Sequence, residues 1–596
     1  MLELSRRHLL AASAAFPALA ALPSPSFAAS SPLAPSPLDP LAEGLLRLSP
    51  GSATSLGIDN GARAALRAQL DDRSPAGRAK WADFLRTSLG ALDRLTASRD
   101  VQVARFAFAN GLEGYQLPYG DVAVGGWRNA PYVVIQNVGA YLDTPRLLDS
   151  DHQLKTVADA ETWLARFAAF PAQLDGETEQ LRLDRGRGVI APDFLLDKAL
   201  TQHRATADAA RSGAMVGNYA KATATFGDNW RAKAERIARE GVAPALDRQR
   251  AELERHRVQA TGDAGVWKLP EGDRYYAWAL KASTTTSLAP DELHRIGREQ
   301  LRELSAQMDV ILRNLGLTKG GVGARMAALG QDPRVRFKDG DPGRAEIIAF
   351  LTQQVVQARA AMPRAFTKLV PSNVEVKRLP PAEEPGAPAA YGGPGSLGGS
   401  IPGRMWINLG TTSRHTRYSL PTLVHHEAIP GHVWQGEYAQ QASLIRALLQ
   451  FNAYSEGWAL YAEQLGDELG LYEGDELGRL GYLQSMTWRA IRLVVDTGLH
   501  AKRWTRAQAV QFFAEANGQN PEDLRSEVDR YCSWPGQACG YKVGHNEINR
   551  LRGLAQRRLG ARYDFKAFND AVVQGGNVPM PVLAQIVDAH VAARHS

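Results

Sequence analysis

The sequence predicts a mainly α-helical, two-lobed fold with a small antiparallel β element. The N-terminal half has long segments rich in Ala, Leu, Arg, Gln and Glu, with apolar residues at three- and four-residue steps, which is typical of amphipathic helices. Two strand-like stretches interrupt this pattern, near residues 374 and 403. The chain has 596 residues. One hydrophobic core serves roughly 250 to 300 residues, so more than one lobe is expected.

The first segment predicts export. Residues 1–28 contain the paired arginines Arg6 and Arg7, then an apolar run too short to span a membrane, and end in small residues. This pattern is typical of a twin-arginine signal peptide, with a disordered basic N-terminus as the alternative. We therefore expect a periplasmic or secreted protein. Residues 29–40, which are rich in Pro and Ser, predict a flexible linker.

The composition of the remaining chain favours a globular protein that binds neither a membrane nor a nucleic acid. No later stretch reaches the roughly 18 consecutive apolar residues of a membrane span, so no stable membrane association is expected after signal cleavage. No cysteine near Ala28 offers a lipid attachment point. The formal net charge of +6 is spread along helices without basic blocks, which argues against nucleic-acid binding.

Long helices account for most of the N-terminal half. Pro192 and Pro290, each followed by an acidic residue, mark two of their starts. Two histidines on these helices, His203 and His256, have no second ligand-type residue four positions on, which favours a scaffold or surface role. The predicted helices are Arg78–Ala97, Ala158–Arg182, Pro192–Ala222, Asn229–Val258 and Pro290–Leu315.

The run from Val424 to His432 predicts a divalent-metal site. In an ordinary HExxH helix the two histidines are four residues apart and reach one metal from the same face. Here His426 and His432 are six apart, and a regular helix would turn their side chains about 120° away from each other. Pro430 and Gly431 stand between them and favour a break in the helix, so that both imidazoles can meet.

A third ligand and a general base are expected beside the two histidines. Glu456 lies 24 residues beyond His432, on a predicted apolar helix face where a lone carboxylate would be costly to bury without a cation. Two His and one Glu, with a fourth position for water, form a catalytic type of zinc site. Glu427 is the expected general base. We expect one Zn²⁺ per chain, although another divalent metal would suit the same ligands.

Two alternatives remain at this motif. His425 can replace His426 as a ligand, but a seven-residue step to His432 separates the two histidines by about 10 Å along a helix. A Pro-Gly pair after a helix is also often only a helix end, with no metal involved. We prefer His426 and the metal site.

Four runs of this sequence resemble a bacterial family catalogued as domain of unknown function 885. They are HHEAIPGH (425–432), SEGWALYAE (455–463), RAIRLVVDTGLH (489–500) and RYCSWPGQACGYKVG (530–544). The resemblance extends from about residue 40 to the C-terminus. It implies a mainly helical, zincin-like fold similar to helical zinc peptidases, in proteins that are often secreted or lipid-anchored, and it implies no known substrate.

In helical zinc peptidases a short edge strand before the metal helix pairs with the substrate backbone. The stretch Gly403–Gly410 is similarly placed, and Val374 and Val376 alternate with charged residues like a preceding strand. A plain structural hairpin is the alternative.

Further pocket residues are expected after the metal helices. Arg492, Asp496 and His500 stand four apart on one predicted helix, either as a charged relay near the pocket or as a solvent-exposed ion pair. The resemblance favours the pocket, where they would orient a ligand histidine or hold a substrate carboxylate. Tyr541 is the first choice for stabilising the oxyanion. Behind it stand Lys542, Arg530 and Gln537.

The only two cysteines, Cys532 and Cys539, are close enough in sequence to form a disulfide outside the cytoplasm, or to remain reduced. They make a poor zinc site, because two thiolates without neighbouring ligands are too few.

The sequence as a whole predicts an exported zinc metallopeptidase or amidase that cleaves short peptides or small amides. We expect a helical metallohydrolase domain at 41–596, with an N-terminal lobe at about 41–365 and a catalytic lobe at about 366–596. The alternatives are a hydrolase of a non-peptide bond and a non-catalytic, metal-containing binding protein. The sequence leaves the oligomeric state and exo- or endo-action open.

Overall fold

The computed structural model describes residues 35–126, 128–227, 229–371, 373–381, 384, 388–395, 402–439 and 443–594. The predicted signal peptide at 1–28 and the first half of the predicted linker, residues 29–34, lie outside these residues. The first helix begins at Asp39, within the last two residues of that linker, with a proline in its first turn. No helix in the described part of the chain is long and apolar enough to cross a membrane.

The predicted mainly helical fold is confirmed. The helices before the sheet are α1 (Asp39–Leu48), α2 (Pro50–Ser55), α3 (Pro75–Leu92), α4 (Arg99–Tyr115), α5 (Ala140–Arg146), α6 (Val157–Gly186), α7 (Asp193–Ser212), α8 (Gly217–Ala222), α9 (Trp230–Ile237), α10 (Ala243–Gln259), α11 (Gly272–Thr284), α12 (Pro290–Asn314), α13 (Val322–Leu329) and α14 (Gly340–Ala361).

The helices after the sheet carry all the predicted site residues. They are α15 (Leu420–Glu427), α16 (His432–Ala439), α17 (Leu444–Leu448), α18 (Asn452–Glu468), α19 (Glu476–Ala501), α20 (Arg506–Asn517), α21 (Pro521–Ser533), α22 (Gln537–Leu559), α23 (Phe565–Gln574) and α24 (Met580–Ala593).

Two of the predicted long helices are interrupted, each for a local reason. In the segment predicted as Pro192–Ala222, the first helix stops at Gly213. The φ of this glycine is 80°, a left-handed conformation that ends the helix and that glycine adopts readily. The segment predicted as Asn229–Val258 contains a π-helical turn at Ala238–Val242. Pro244, which has no backbone N–H to donate, follows that turn in the first turn of α10. Both histidines on these helices are buried scaffold residues, His203 against Gln249 and His256 against the Leu181 carbonyl.

Two large hydrophobic cores hold the helices together. One core joins buried residues of 117–293 to buried residues of 491–543. The other joins residues of 38–108 to residues of 337–591 and includes both metal-motif helices. Each core therefore takes residues from both predicted lobes, and the division at about residue 365 stays a prediction.

The β element is a three-stranded mixed sheet, so the predicted antiparallel form is only partly right. Its strands are β1 (Val374–Arg378), β2 (Ala390–Gly393) and β3 (Gly403–Ile407), in the order β1-β3-β2. Strand β3 pairs parallel to β1 and antiparallel to β2. The prediction of an edge strand at 403–410 is wrong, because β3 is central and has both edges paired. The simple hairpin is wrong for the same reason, since β1 and β3 are parallel.

The edge strand that lies against the metal motif is β2, in the Pro- and Gly-rich stretch where no strand was predicted. At Gly392 a Cβ atom would collide with the backbone carbonyl of Glu427, the last residue of α15. A glycine at this position therefore lets the strand and the helix end approach closely. Tyr391, which precedes it, is 40% exposed.

Candidate metal centre

The metal-motif helix breaks where the sequence predicts it. Helix α15 ends at Glu427 and the next helix begins at His432, with a cis peptide bond between Ile429 and Pro430. A Cβ on Gly431 would collide with the His426 carbonyl, so the turn requires glycine. Trp458 donates a hydrogen bond of 2.8 Å from its indole Nε1 to the Pro430 carbonyl and fastens the turn to α18.

The break brings His426, His432 and Glu456 together. The Nε2 atom of each histidine lies 3.5 Å from Oε2 of Glu456. Their ring centroids are 5.0 Å apart with the rings at 90°. The candidate ligand atoms of the three residues all lie within 4.8 Å of one another. The predicted convergence of these residues is therefore present in the fold.

The spacing and the hydrogen bonding of these residues fit a divalent cation. Ligands at about 2.1 Å in tetrahedral directions stand about 3.4 Å apart, close to the two measured separations. Oε2 of Glu456 is buried and has no hydrogen-bond partner among the described residues. A buried carboxylate oxygen without a donor is costly, and a cation between these ligands would satisfy it. The residues present thus fit a bound metal.

The charges around His426 attract a cation. Burial lowers the pKa of this imidazole, but the carboxylates of Glu456 and Glu463 outweigh burial and raise that pKa to about 9. Burial raises the pKa of Glu456, yet His432 and His426 hold it well below its usual range. The position where the three side chains meet is therefore one where positive charge is stabilised.

Glu463 orients His426 and is the residue that sequence reasoning missed. Its Oε1 lies 2.8 Å from Nδ1 of His426, and its Oε2 accepts a hydrogen bond of 2.5 Å from Thr422. Arg489 lies 3.7 Å from the same carboxylate, which is fully buried. The contact on Nδ1 leaves Nε2 to face Glu456. A signal was present, because residues 456 and 463 are seven apart and share a helix face.

Glu427 and Tyr541 flank the three candidate ligands. Glu427 directly follows His426 and is 8% exposed. Burial raises the pKa of Tyr541, and the negative charge of Glu456 raises it further, so the hydroxyl stays protonated and able to donate. The helices that carry Glu456 and Tyr541 cross where Gly457 meets Gly544, and a Cβ there would collide with the other backbone. This close crossing brings Tyr541 beside the centre.

His425 faces away from the centre. Its Nδ1 lies 3.3 Å from the Ile429 carbonyl, and its ring packs edge-on against Tyr472 with centroids 5.9 Å apart. The cluster that could hold a metal contains His426 and not His425. The preference for His426 agrees with this geometry.

Arg492, Asp496 and His500 do not form a relay, and that prediction is wrong. Asp496 accepts hydrogen bonds from the Tyr276 hydroxyl at 2.7 Å and from the Gly536 N–H at 3.0 Å. All three residues are at most 8% exposed, so the alternative of a solvent-exposed pair is wrong too. The shared helix face packs against neighbouring segments, in which Asp496 and His500 find their hydrogen-bond partners.

His500 is held in one neutral tautomer by two backbone groups. Its Nδ1 accepts from the Val266 N–H at 3.2 Å, so its Nε2 donates to the Tyr531 carbonyl at 3.0 Å. Burial lowers the pKa of this histidine to about 4. His500 therefore ties α19 to two neighbouring segments and lies outside the candidate site.

We expect the free energy of unfolding to fall between pH 6.5 and pH 4, in part because of His500. In this window the unfolded chain binds a proton, at a pKa of about 6.5, that folded His500 does not bind. The contribution is at most about 1.4 kcal/mol per pH unit. Urea unfolding of His500→Gln across this range should show a shallower loss than the wild type. Equal slopes would contradict the assigned neutral state.

The remaining predicted pocket residues divide into two groups. Arg530 donates to Oε1 of Gln537 at 2.6 Å, and Gln537 donates to Asn452 at 3.1 Å. Lys542 lies 3.2 Å from Nδ1 of His545. Burial lowers the pKa of this lysine to about 8. Arg530 and Gln537 thus belong to the Tyr541 side of the site, whereas Lys542 packs within the helix bundle.

The two cysteines are free thiols, so the disulfide alternative is not realised. Cys532 and Cys539 are both buried. The Cys539 thiol hydrogen-bonds to Asp496, and burial raises the pKa of both thiols.

Comparison with known proteins identifies relatives of this chain but no activity. Residues 50–587 match the profile of a family described as bacterial proteins of unknown function (DUF885). A solved "putative lipoprotein" from Colwellia psychrerythraea is 30% identical, with a TM-score of 0.87 over 93% of this chain and 97% of that one. A second "putative lipoprotein", from Shewanella oneidensis, is 16% identical and shares the fold, with a TM-score of 0.69 over 92% and 98%. No curated protein matches the chain.

Proposed function

Because the chain belongs to the DUF885 family of bacterial proteins, whose description assigns no activity, we propose from its own site that it is a metal-dependent hydrolase of short peptides or small amides. One observation carries this proposal. His426 and His432 converge on a buried Glu456 oxygen that has no other partner among the described residues, at distances that suit a metal.

The donor set favours zinc. Two imidazoles and one carboxylate leave a fourth position for water, as in catalytic zinc sites, and manganese or cobalt would accept the same ligands. When bound, the metal supplies a lowered water pKa and polarises the carbonyl of the bond to be cleaved. His426, held by Glu463 at 2.8 Å, would present Nε2 to it together with His432 and Glu456.

Two further residues have roles that follow from their positions. Glu427, next to His426 and nearly buried, would accept the proton of the attacking water and return it to the leaving amine. Tyr541, kept protonated by burial, would donate a hydrogen bond to the carbonyl oxygen as negative charge develops there.

Strand β2 supports a peptide substrate. It is an edge strand of the sheet and lies against the end of α15 through Gly392. An extended peptide that adds to a sheet edge gains main-chain hydrogen bonds and is fixed in direction. We therefore assign to β2 the substrate-binding role that was expected of residues 403–410. Export to the periplasm or beyond through the predicted twin-arginine signal is part of the same proposal.

A chelation experiment tests the proposed activity. The mature protein is incubated with an N- and C-terminally diverse peptide library, first with zinc, then with chelator, and then after zinc is restored. We expect cleavage products by mass spectrometry only in the two zinc samples. Bound zinc without cleavage would direct the search to non-peptide bonds or to a binding protein, and cleavage that resists chelation would contradict a metal hydrolase.

Glu463→Gln is expected to lower zinc affinity by about 10- to 100-fold, the usual effect of removing the carboxylate behind a ligand histidine. The amide keeps the shape but loses the charge that orients His426. Competition titration with a zinc indicator measures the change. Glu468→Gln on the same helix, where Glu468 pairs with Arg552 at 2.8 Å, is the control and should bind zinc like the wild type. Unchanged affinity in Glu463→Gln would contradict the orienting role.

A further inference from the structure

Two arginines beside the candidate metal centre share a single carboxylate. Arg492 donates from Nη2 to Oε1 of Glu527 at 2.8 Å, and Arg530 donates to the same oxygen at 2.8 Å. Oε2 of Glu527 accepts a second bond from Arg530, of 3.2 Å. The Tyr531 hydroxyl also donates to Oε1, at 2.5 Å. Both carboxylate oxygens of Glu527 therefore already accept hydrogen bonds from neighbouring side chains.

The cluster of Arg492, Arg530 and Glu527 contains two positive charges and one negative charge, so one positive charge is not neutralised within it. The side chains of the three residues are only 10%, 19% and 18% exposed. Asp496, four residues after Arg492, interacts electrostatically with Arg530 but accepts its hydrogen bonds from Tyr276 and Gly536. A largely buried charge without a counter-ion is costly, so the cluster is suited to an anion.

One guanidinium group of the cluster has an unused donor. Arg492 donates from Nε to the Tyr531 hydroxyl at 3.0 Å and from Nη2 to Glu527. Its Nη1 is buried and has no hydrogen-bond partner among the described residues. Buried polar groups are nearly always hydrogen-bonded, so this N–H is free to donate to a ligand.

Tyr541 links this cluster to the metal ligands. The Arg492 Cζ lies 4.2 Å from the centre of the Tyr541 ring. The same tyrosine interacts electrostatically with Glu456. A group bound by Arg492 would therefore lie next to a carbonyl oxygen that receives the Tyr541 hydrogen bond.

We propose that Arg492 binds the free C-terminal carboxylate of the substrate, and that the protein is a carboxypeptidase that removes one C-terminal residue at a time. Consecutive residues are about 3.8 Å apart, so a carboxylate one residue beyond the cleaved bond has to sit close to the oxyanion donor. The contact between Arg492 and Tyr541 meets this requirement. A planar guanidinium also matches a carboxylate better than a point charge does.

This inference rests on the proposed function, but a binding measurement separates the two. The Glu427→Gln protein, loaded with zinc, is titrated calorimetrically with N-acetylated alanine, leucine and phenylalanine tripeptides, as free acids and as C-terminal amides. We expect the acids to bind about 10- to 100-fold more tightly, as for hydrogen bonds to a charged group. Adding Arg492→Gln should abolish this difference, and adding Arg492→Lys should reduce it.

A matched control lies on the same helix. Arg479 pairs with Asp467 at 3.0 Å on the surface, and Arg479→Gln should leave the preference for acids unchanged. Equal affinity for acids and amides, or a preference that persists in both Arg492 variants, would overturn the inference. A preference for acids that depends on Arg492, in a protein whose wild type cleaves no peptide, would leave the carboxylate site standing and refute the peptidase.

Discussion

Glu427→Gln is expected to keep one zinc per chain and to lower kcat/KM for peptide cleavage by about 10²- to 10⁴-fold, the usual contribution of a general base. Glutamine has nearly the same shape as glutamate, so the end of α15 and the position of His426 should not change. It cannot accept a proton from water at neutral pH. Steady-state cleavage of the best library peptide, together with metal analysis of the same sample, measures both quantities.

Zinc content and activity together distinguish the possible roles of Glu427. The control is Glu547→Gln, which removes an ion pair with Arg550 on α22 and should keep full activity. Loss of zinc together with activity would make Glu427 a metal ligand. Full activity in Glu427→Gln would place the base elsewhere and contradict the mechanism.

Glu456→Ala is expected to remove zinc binding while the fold remains intact. The substitution takes away the oxygen toward which both histidines point and leaves two ligands, which is too few for a catalytic zinc site. The loss of affinity should exceed the 10- to 100-fold loss expected for Glu463→Gln. Zinc at about 100 times its Kd stabilises a folded chain by about 2.7 kcal/mol, so the wild type should melt at a higher temperature with zinc than with chelator.

In Glu456→Ala this zinc-dependent rise in melting temperature should disappear. Glu468→Ala, three turns along the same helix, is the control and should keep the rise. Persistence of the rise in Glu456→Ala would show that zinc binds at another site. A variant that no longer folds even without metal would instead mean that Glu456 serves the fold.

The local part of the site could be predicted from the sequence because it depends on backbone geometry over a few residues. Six-residue spacing with Pro430 and Gly431 between the histidines requires a break, and the structure contains that break. Glu456 stood out because a lone carboxylate on an apolar helix face needs a cation. The limits of helix α12 agree within one residue, since Pro290 fixes its start.

The rest of the site depends on contacts between segments that are distant in sequence. The partners of Asp496 and His500 come from other helices and from the backbone near Val266, so their spacing on α19 suggested a relay that does not exist. Strand β2 has too many glycines to show a strand pattern, and it forms because β3 offers it an edge. The net positive charge of the Arg492, Arg530 and Glu527 cluster likewise could not be predicted, because it arises only where α19 packs against α21.

Binding of one divalent metal by His426, His432 and Glu456 can be observed directly in an anomalous difference map at the zinc absorption edge, from crystals of the zinc-loaded mature protein. We expect one strong peak per chain, about 2.0 to 2.2 Å from Nε2 of both histidines and from the Glu456 carboxylate. No peak at these residues after zinc loading, or a peak coordinated by His425 in place of His426, would contradict this ligand assignment.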